Sequence, residues 1–158
     1  NALMVKEIRG DTLYRISGDG IINPAYVFDY SESKMPLDEY SYESFAKRYL
    51  GNRYIYFLNV IEDQNKLFFT YKHRGDNIHW IFDKASGELF KYNSSQKHAK
   101  IPDDIKSGPG FWPVFSGDDY LLGYLEPSLL NEQELKSLAE ITGNIDISSN
   151  PVLQIVSH

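Results

Sequence analysis

The sequence predicts a mainly β protein, made of antiparallel four-stranded meanders with two short helices. Three observations carry that expectation. Aromatic residues make up 15% of the 158, with 12 Tyr and 9 Phe, and such side chains suit half-buried pleated surfaces. Short segments alternate apolar and polar residues, the period-2 signature of a strand with one covered face. Gly, Asp and Asn separate those segments at close intervals, which is how hairpin turns announce themselves.

Residues 12–17 give the first strand, alternating around Leu13 and Ile16. Gly18-Asp19-Gly20 turns the chain, because Gly accepts positive φ and Asp bonds its own local backbone. Residues 25–30 are the next expected strand, with Pro24 at its entrance, where a missing N–H costs no interior ladder bond. Residues 37–50 break the β pattern. Asp38 or Ser41 is placed to cap a short helix whose Tyr42, Phe45, Ala46 and Tyr49 form one stripe, and Gly51-Asn52 ends it.

Four strands then follow at residues 54–62, 66–73, 78–83 and 88–92. Residues 83–87 suit a type I turn followed by a left-handed Gly, a common hairpin connection. Four antiparallel strands joined by tight turns make one meander, the unit of a β-propeller blade. After a loop-like stretch at 93–110, residues 111–116 and 120–125 pair around Gly117-Asp118-Asp119. Asn131 and Glu134 have capping-box spacing for a second helix over 131–142, with Leu135, Leu138, Ala139 and Thr142 on one face and Gly143 as its stop. Residues 151–156 are the last apolar strand. A Phe-Asp pair ends both Tyr26-Val27-Phe28-Asp29 and Trp80-Ile81-Phe82-Asp83, at a spacing that suits a blade with an inserted segment.

Composition narrows the function classes. Sixteen basic and 22 acidic residues give a net charge of −6, and without clustered Lys and Arg the chain is not expected to bind nucleic acid. The absence of Cys excludes disulfides, thiolate metal sites and Cys nucleophiles. No apolar run approaches the ~20 residues of a membrane span, so membrane insertion of this segment is not expected. Asn1-Ala2 reads as a cloning scar.

The stretch 103–113 concentrates the residues with binding chemistry. Asp103 and Asp104 can accept hydrogen bonds, and Phe111 or Trp112 can stack on a sugar ring or an apolar ligand. The alternative is structural: Phe111 and Trp112 fill a gap between blades, and Asp104 caps a turn. His73 and His79 lie on neighbouring strands, but the spacings of a metal site are absent, and no metal or other cofactor is expected. The carboxylate pairs Glu62-Asp63, Asp103-Asp104 and Asp118-Asp119 would serve glycoside hydrolysis only if they faced one another in space. Adjacent residues point different ways, and Asp is ordinary in turns. The Tyr run Tyr40, Tyr42, Tyr49, Tyr54 and Tyr56 fits either an interface or packing at the blade rim. No nucleophile elbow, P-loop or dinucleotide fingerprint is present, so the reading leans away from catalysis and names no catalytic residue.

Several segments carry a family resemblance. Asp11-Thr12-Leu13-Tyr14-Arg15-Ile16 with Gly20 and Pro24-Ala25-Tyr26-Val27-Phe28-Asp29-Tyr30 resembles a strand–turn–strand unit. Asp103-Asp104-Ile105, Gly108-Pro109 and Phe111-Trp112-Pro113 resemble a loop before a last blade. Asn150-Pro151-Val152-Leu153 resembles a terminal strand. In this order they resemble the C-terminal part of the six-bladed β-propeller proteins of unknown function found in Bacteroides and its relatives. The resemblance implies one domain over 1–158, about three blades at roughly 3–50, 54–92 and 101–158. It also implies a cell-envelope location, in the periplasm or as an outer-membrane lipoprotein. The expected role is a non-catalytic ligand- or protein-binding scaffold module. The alternative is a propeller enzyme acting on glycan or peptide, its site completed by further blades. The expected partners are a glycan or protein ligand, and a second copy through the flanks that a partial ring would leave exposed.

Overall fold

The computed structural model describes residues 3–6, 10–34, 54–74, 76–92, 101–102 and 108–157. The fold is mainly β, with antiparallel sheets of three, four and three strands and one α-helix among the described residues. The helix expected at 37–50 lies outside the described residues. The chain forms two compact units, one of Asn1–Leu58 with Thr70–Ile78, the other of Asn59–Phe69 with His79–His158.

The first unit holds a sheet of β1 (Leu3–Lys6), β2 (Thr12–Ile16) and β3 (Ile22–Val27), in that order. Leu13 is its buried anchor. The β2–β3 hairpin turns at Gly20, whose φ of 82° needs a residue without Cβ strain. Gly20 N–H donates to the Ser17 carbonyl at 2.9 Å, and Ser17 N–H to the Ile21 carbonyl at 3.0 Å. β3 begins earlier than expected and takes Pro24 inside it, instead of just before it. Pro24 is accommodated because β3 is last in the sheet order and the register shifts between Leu13 and Tyr14, beside it. Edge strands and bulges are where a missing N–H is tolerated. Beyond β3, Phe28 and Tyr30 stack at 6.4 Å, and Lys6 Nζ lies 5.7 Å from the Tyr30 ring centroid. Burial, with the nearby Asp11 charge, pushes the Tyr30 hydroxyl well above its ordinary pKa. Asp11 pairs with Lys34, whose ammonium together with the Thr12 hydroxyl lowers the Asp11 pKa.

The four-stranded sheet runs in order through β4 (Tyr56–Glu62), β5 (Lys66–His73), β6 (Asp76–Asp83) and β7 (Leu89–Tyr92). β4, β5 and β6 each contribute residues to both units. Its turns in the second unit are built on carboxylates. Asp63 accepts from the N–H groups of Asn65 at 2.7 Å and Lys66 at 2.5 Å. Asp83 Oδ1 accepts from Ala85 N–H at 3.0 Å and Ser86 N–H at 2.9 Å, and its Oδ2 from Lys66 Nζ at 3.1 Å. Lys84 joins the two turns, donating to the Asp63 carbonyl at 2.5 Å and pairing with Glu62 at 2.8 Å. The expected left-handed Gly is Gly87, at φ 72°.

The third sheet lies in the second unit, in the order β10 (Val152–Ser157), β9 (Tyr120–Leu125) and β8 (Pro113–Ser116). Residues opposite one another in an antiparallel pair share a face. One face carries Leu121, Gly123 and Leu125 of β9 with Val152 and Gln154 of β10. Leu121 packs with Phe68 and Ile81 of the four-stranded sheet. Leu125 packs with Leu130 and Leu138, the latter on helix α1 (Glu132–Thr142). The inner face therefore serves two cores at its two ends. Among the described residues no helix is long and apolar enough to cross a membrane.

Helix α1 starts as its sequence requires. Asn131 accepts from Glu134 N–H at 2.9 Å, and Glu134 Oε2 accepts from Asn131 N–H at 3.0 Å. Gly143 closes it with an N–H bond to the Ala139 carbonyl at 2.9 Å. Asn131→Ala removes one arm of this box and is expected to lower unfolding stability by about 1 kcal/mol, read by urea denaturation. The Asp83 turn sets an acid limit. Ser86 N–H and then Lys66 lower the Asp83 pKa to about 2. Because the folded value lies below the unfolded one, its contribution is complete above the ordinary 3.8 and is lost as pH falls toward 2. The stability gap between the wild type and Asp83→Asn is expected to be constant near neutral pH and to close across that window, measured by denaturation at stepped pH.

Candidate functional site

The candidate segment opens at Ile101 and returns at Phe111. Ile101 N–H donates to the Phe111 carbonyl at 2.6 Å, and Phe111 N–H to the Ile101 carbonyl at 2.8 Å. This isolated antiparallel bridge closes the base of the connection. Of the expected ligand-binding residues, Asp103 and Asp104 fall outside the described residues, whereas Phe111 and Trp112 are described and half-buried.

Trp112 is set among aromatic rings of the four-stranded sheet. Its ring meets Phe68 edge-on at 5.9 Å, His79 edge-on at 4.7 Å and Tyr92 at 6.5 Å. His79 and Tyr92 stand opposite each other in the β6–β7 register, so they share the face on which Trp112 lies. Phe111 covers Gly123 of β9. A Cβ at Gly123 would fall 2.7 Å from the Phe111 ring and 2.8 Å from the Trp112 carbonyl oxygen. Gly123 is therefore needed for close approach of the 111–112 backbone to the sheet. Both aromatic residues pack on the Phe68, Ile81 and Leu121 cluster, which is the filling role the sequence left open beside the stacking role.

His79 is buried and His73 half-buried, and among the described residues no three His, Asp or Glu side chains could hold a metal ion. Glu62 pairs with Lys84 and Asp63 caps its own turn. Asp118 and Asp119 are exposed in the β8–β9 turn, where Gln64 Nε2 donates to the Asp118 carbonyl at 3.1 Å. Tyr40, Tyr42 and Tyr49 lie outside the described residues, as does the Tyr56 side chain. One residue that the sequence reading passed over is Gln154. Its amide donates to the Pro109 carbonyl at 3.3 Å, which ties β10 to the candidate segment. Its Oε1 is buried and accepts no hydrogen bond among the described residues. A lone amide in the apolar strand Val152–Ser157 was the available signal.

The Gly123 contact has a direct test. Gly123→Ala is expected to destabilise by about 1–3 kcal/mol through overpacking and to change the fluorescence of Trp112, whose carbonyl the new methyl group would strike. Thermal unfolding followed by tryptophan emission reads both effects.

No curated protein matches the chain. Among solved structures, a Bacteroides fragilis NCTC 9343 protein inferred to be exported is similar over 99% of this chain, with a TM-score of 0.67 and 19% identity. The match covers 47% of that protein, so the chain spans about half its length. At that identity the likeness shows the fold alone. A family profile described as a domain of unknown function (DUF4934) matches residues 1–157, and the chain belongs to that family.

Proposed function

We propose that the chain is a non-catalytic binding and scaffold module of an exported cell-envelope protein, with its sheets arranged as propeller blades. The Ile101–Phe111 bridge is the observation that carries the reading. It fastens both ends of the connection to a framework already fixed by the Trp112 aromatic contacts. Binding residues are commonly held this way, on a loop set on a rigid scaffold. In this reading Asp103 and Asp104 accept hydrogen bonds from the hydroxyls of a glycan, and the exposed edges of Phe111 and Trp112 meet its apolar faces. The fold likeness to an exported Bacteroides protein supports an extracytoplasmic location. The outer sheet faces act as packing surfaces within the same scaffold.

The test is titration calorimetry of neutral oligosaccharides selected on a glycan array. The double variant Asp103→Asn with Asp104→Asn is expected to bind at least about tenfold more weakly, with an unchanged unfolding midpoint. No binding by the wild type, or equal binding by the variant, overturns the assignment.

A further inference from the structure

Strand β10 carries an amide on its covered face. Register sets Val152, Gln154 and Val156 opposite Leu125, Gly123 and Leu121 of β9. Leu121 and Leu125 are buried, and Val152 packs on the Leu125, Leu130 and Leu138 cluster. Gln154 stands in the middle of this row, opposite the position that has no side chain. Its Nε2 donates to the Pro109 carbonyl at 3.3 Å, while its Oε1 is buried and accepts no hydrogen bond among the described residues. A carbonyl can only accept, so it takes the amide nitrogen and leaves the amide oxygen over. A buried acceptor without a donor destabilises a fold, and an apolar side chain of the same length would remove that penalty. Fold stability alone therefore does not call for Gln at position 154.

The stretch that the amide holds has little to fix it locally. Pro109 lies between Gly108 and Gly110, and Gly110 leads into Phe111. Glycine leaves the backbone free to adopt several conformations, and Pro109 has no N–H to offer a sheet. Pro109 and Gly110 are nonetheless buried, and a buried backbone carbonyl needs a donor. The Ile101 bridge bonds the backbone of Phe111. The Gln154 amide reaches past it, to a residue nearer in sequence to Asp103 and Asp104.

We infer that Gln154 is a positioning residue of the binding connection. It acts through the Pro109 carbonyl to set the leg that runs into Phe111 and Trp112, and touches no ligand itself. The inference rests on the binding role proposed for this connection. A loop already set in its bound arrangement loses less freedom when a ligand arrives, so the amide contributes to affinity more than to stability. An unsatisfied buried group kept for function at the expense of stability is a recognised trade-off.

Gln154→Met keeps the side-chain length and removes both polar atoms. The buried Oε1 disappears, but Pro109 loses its donor, and the two changes offset each other in the fold. The carbonyl regains a partner only when the glycines beside it let water in. Amide exchange followed by NMR is expected to quicken at least about tenfold at Gly110, Phe111 and Trp112, with an unchanged unfolding midpoint. Titration calorimetry with the neutral oligosaccharides is expected to show binding weakened at least about tenfold. Gln154→Leu repeats both readings with a branched side chain, so that a packing fault peculiar to one variant is recognised. Unchanged exchange at those amides in both variants overturns the inference. So does a lowered midpoint with exchange quickened throughout β8, β9 and β10, which makes Gln154 a plain structural residue. Quickened exchange with undiminished binding overturns its role in setting the ligand contacts. A wild type that binds no oligosaccharide overturns the glycan assignment alone, and the exchange of the two variants still decides whether Gln154 holds the connection.

Discussion

Within the second unit, everything turns on how closely the backbone at Phe111 and Trp112 approaches the third sheet. That approach exists because position 123 carries no side chain. With it, Phe111 reaches the Phe68, Ile81 and Leu121 cluster, and Trp112 enters the ring set formed by Phe68, His79 and Tyr92. The Ile101 bridge and the Gln154 bond to Pro109 fasten the same stretch from two further sides. Sheet packing and the anchoring of Phe111 and Trp112 thus share a single close contact. Interiors packed to crystal-like density transmit such local demands.

Much of the fold was legible because short-range chemistry decided it. Residues 66–73 and 120–125 form strands at the expected bounds, since the Asp63 carboxylate builds the turn before one and the Gly117 N–H bond to the Tyr120 carbonyl closes the turn before the other. The capping box of α1 is similarly local and was read directly from Asn131 and Glu134. β1 was not anticipated, because four residues offer too little pattern to display a period. The start of β3 was displaced for a different reason. Pro24 reads as a boundary, yet its place at a bulged edge depends on which strand it pairs with, which neighbouring residues do not encode.

The candidate site was legible in its composition but not in its roles. Phe111 and Trp112 were singled out as an aromatic pair, with a packing role weighed against ligand contact. The geometry gives each a packing partner: Gly123 for one, His79 for the other. Those partners lie far along the chain, on β9 and β6, so no local pattern could assign them. The carboxylate pairs are a clearer case. Glu62 and Asp63 are neighbours in sequence with separate tasks, one in an ion pair and the other in a turn.

β3 and β10 end their sheets in contrasting ways. β3 has Pro24 and a register shift, which interrupt the ladder that an added strand would need. β10, with the sequence Val-Leu-Gln-Ile-Val-Ser, has no Pro, no charge and an uninterrupted register against β9. It is the segment from which cross-β growth would start if the chain were partly unfolded, since uncharged, β-branched edges are templates for their own kind. The two edge strands thus differ in their exposure to templated misassembly. Selection against aggregation acts on β10 through whatever covers it, whereas β3 is guarded by its own residues.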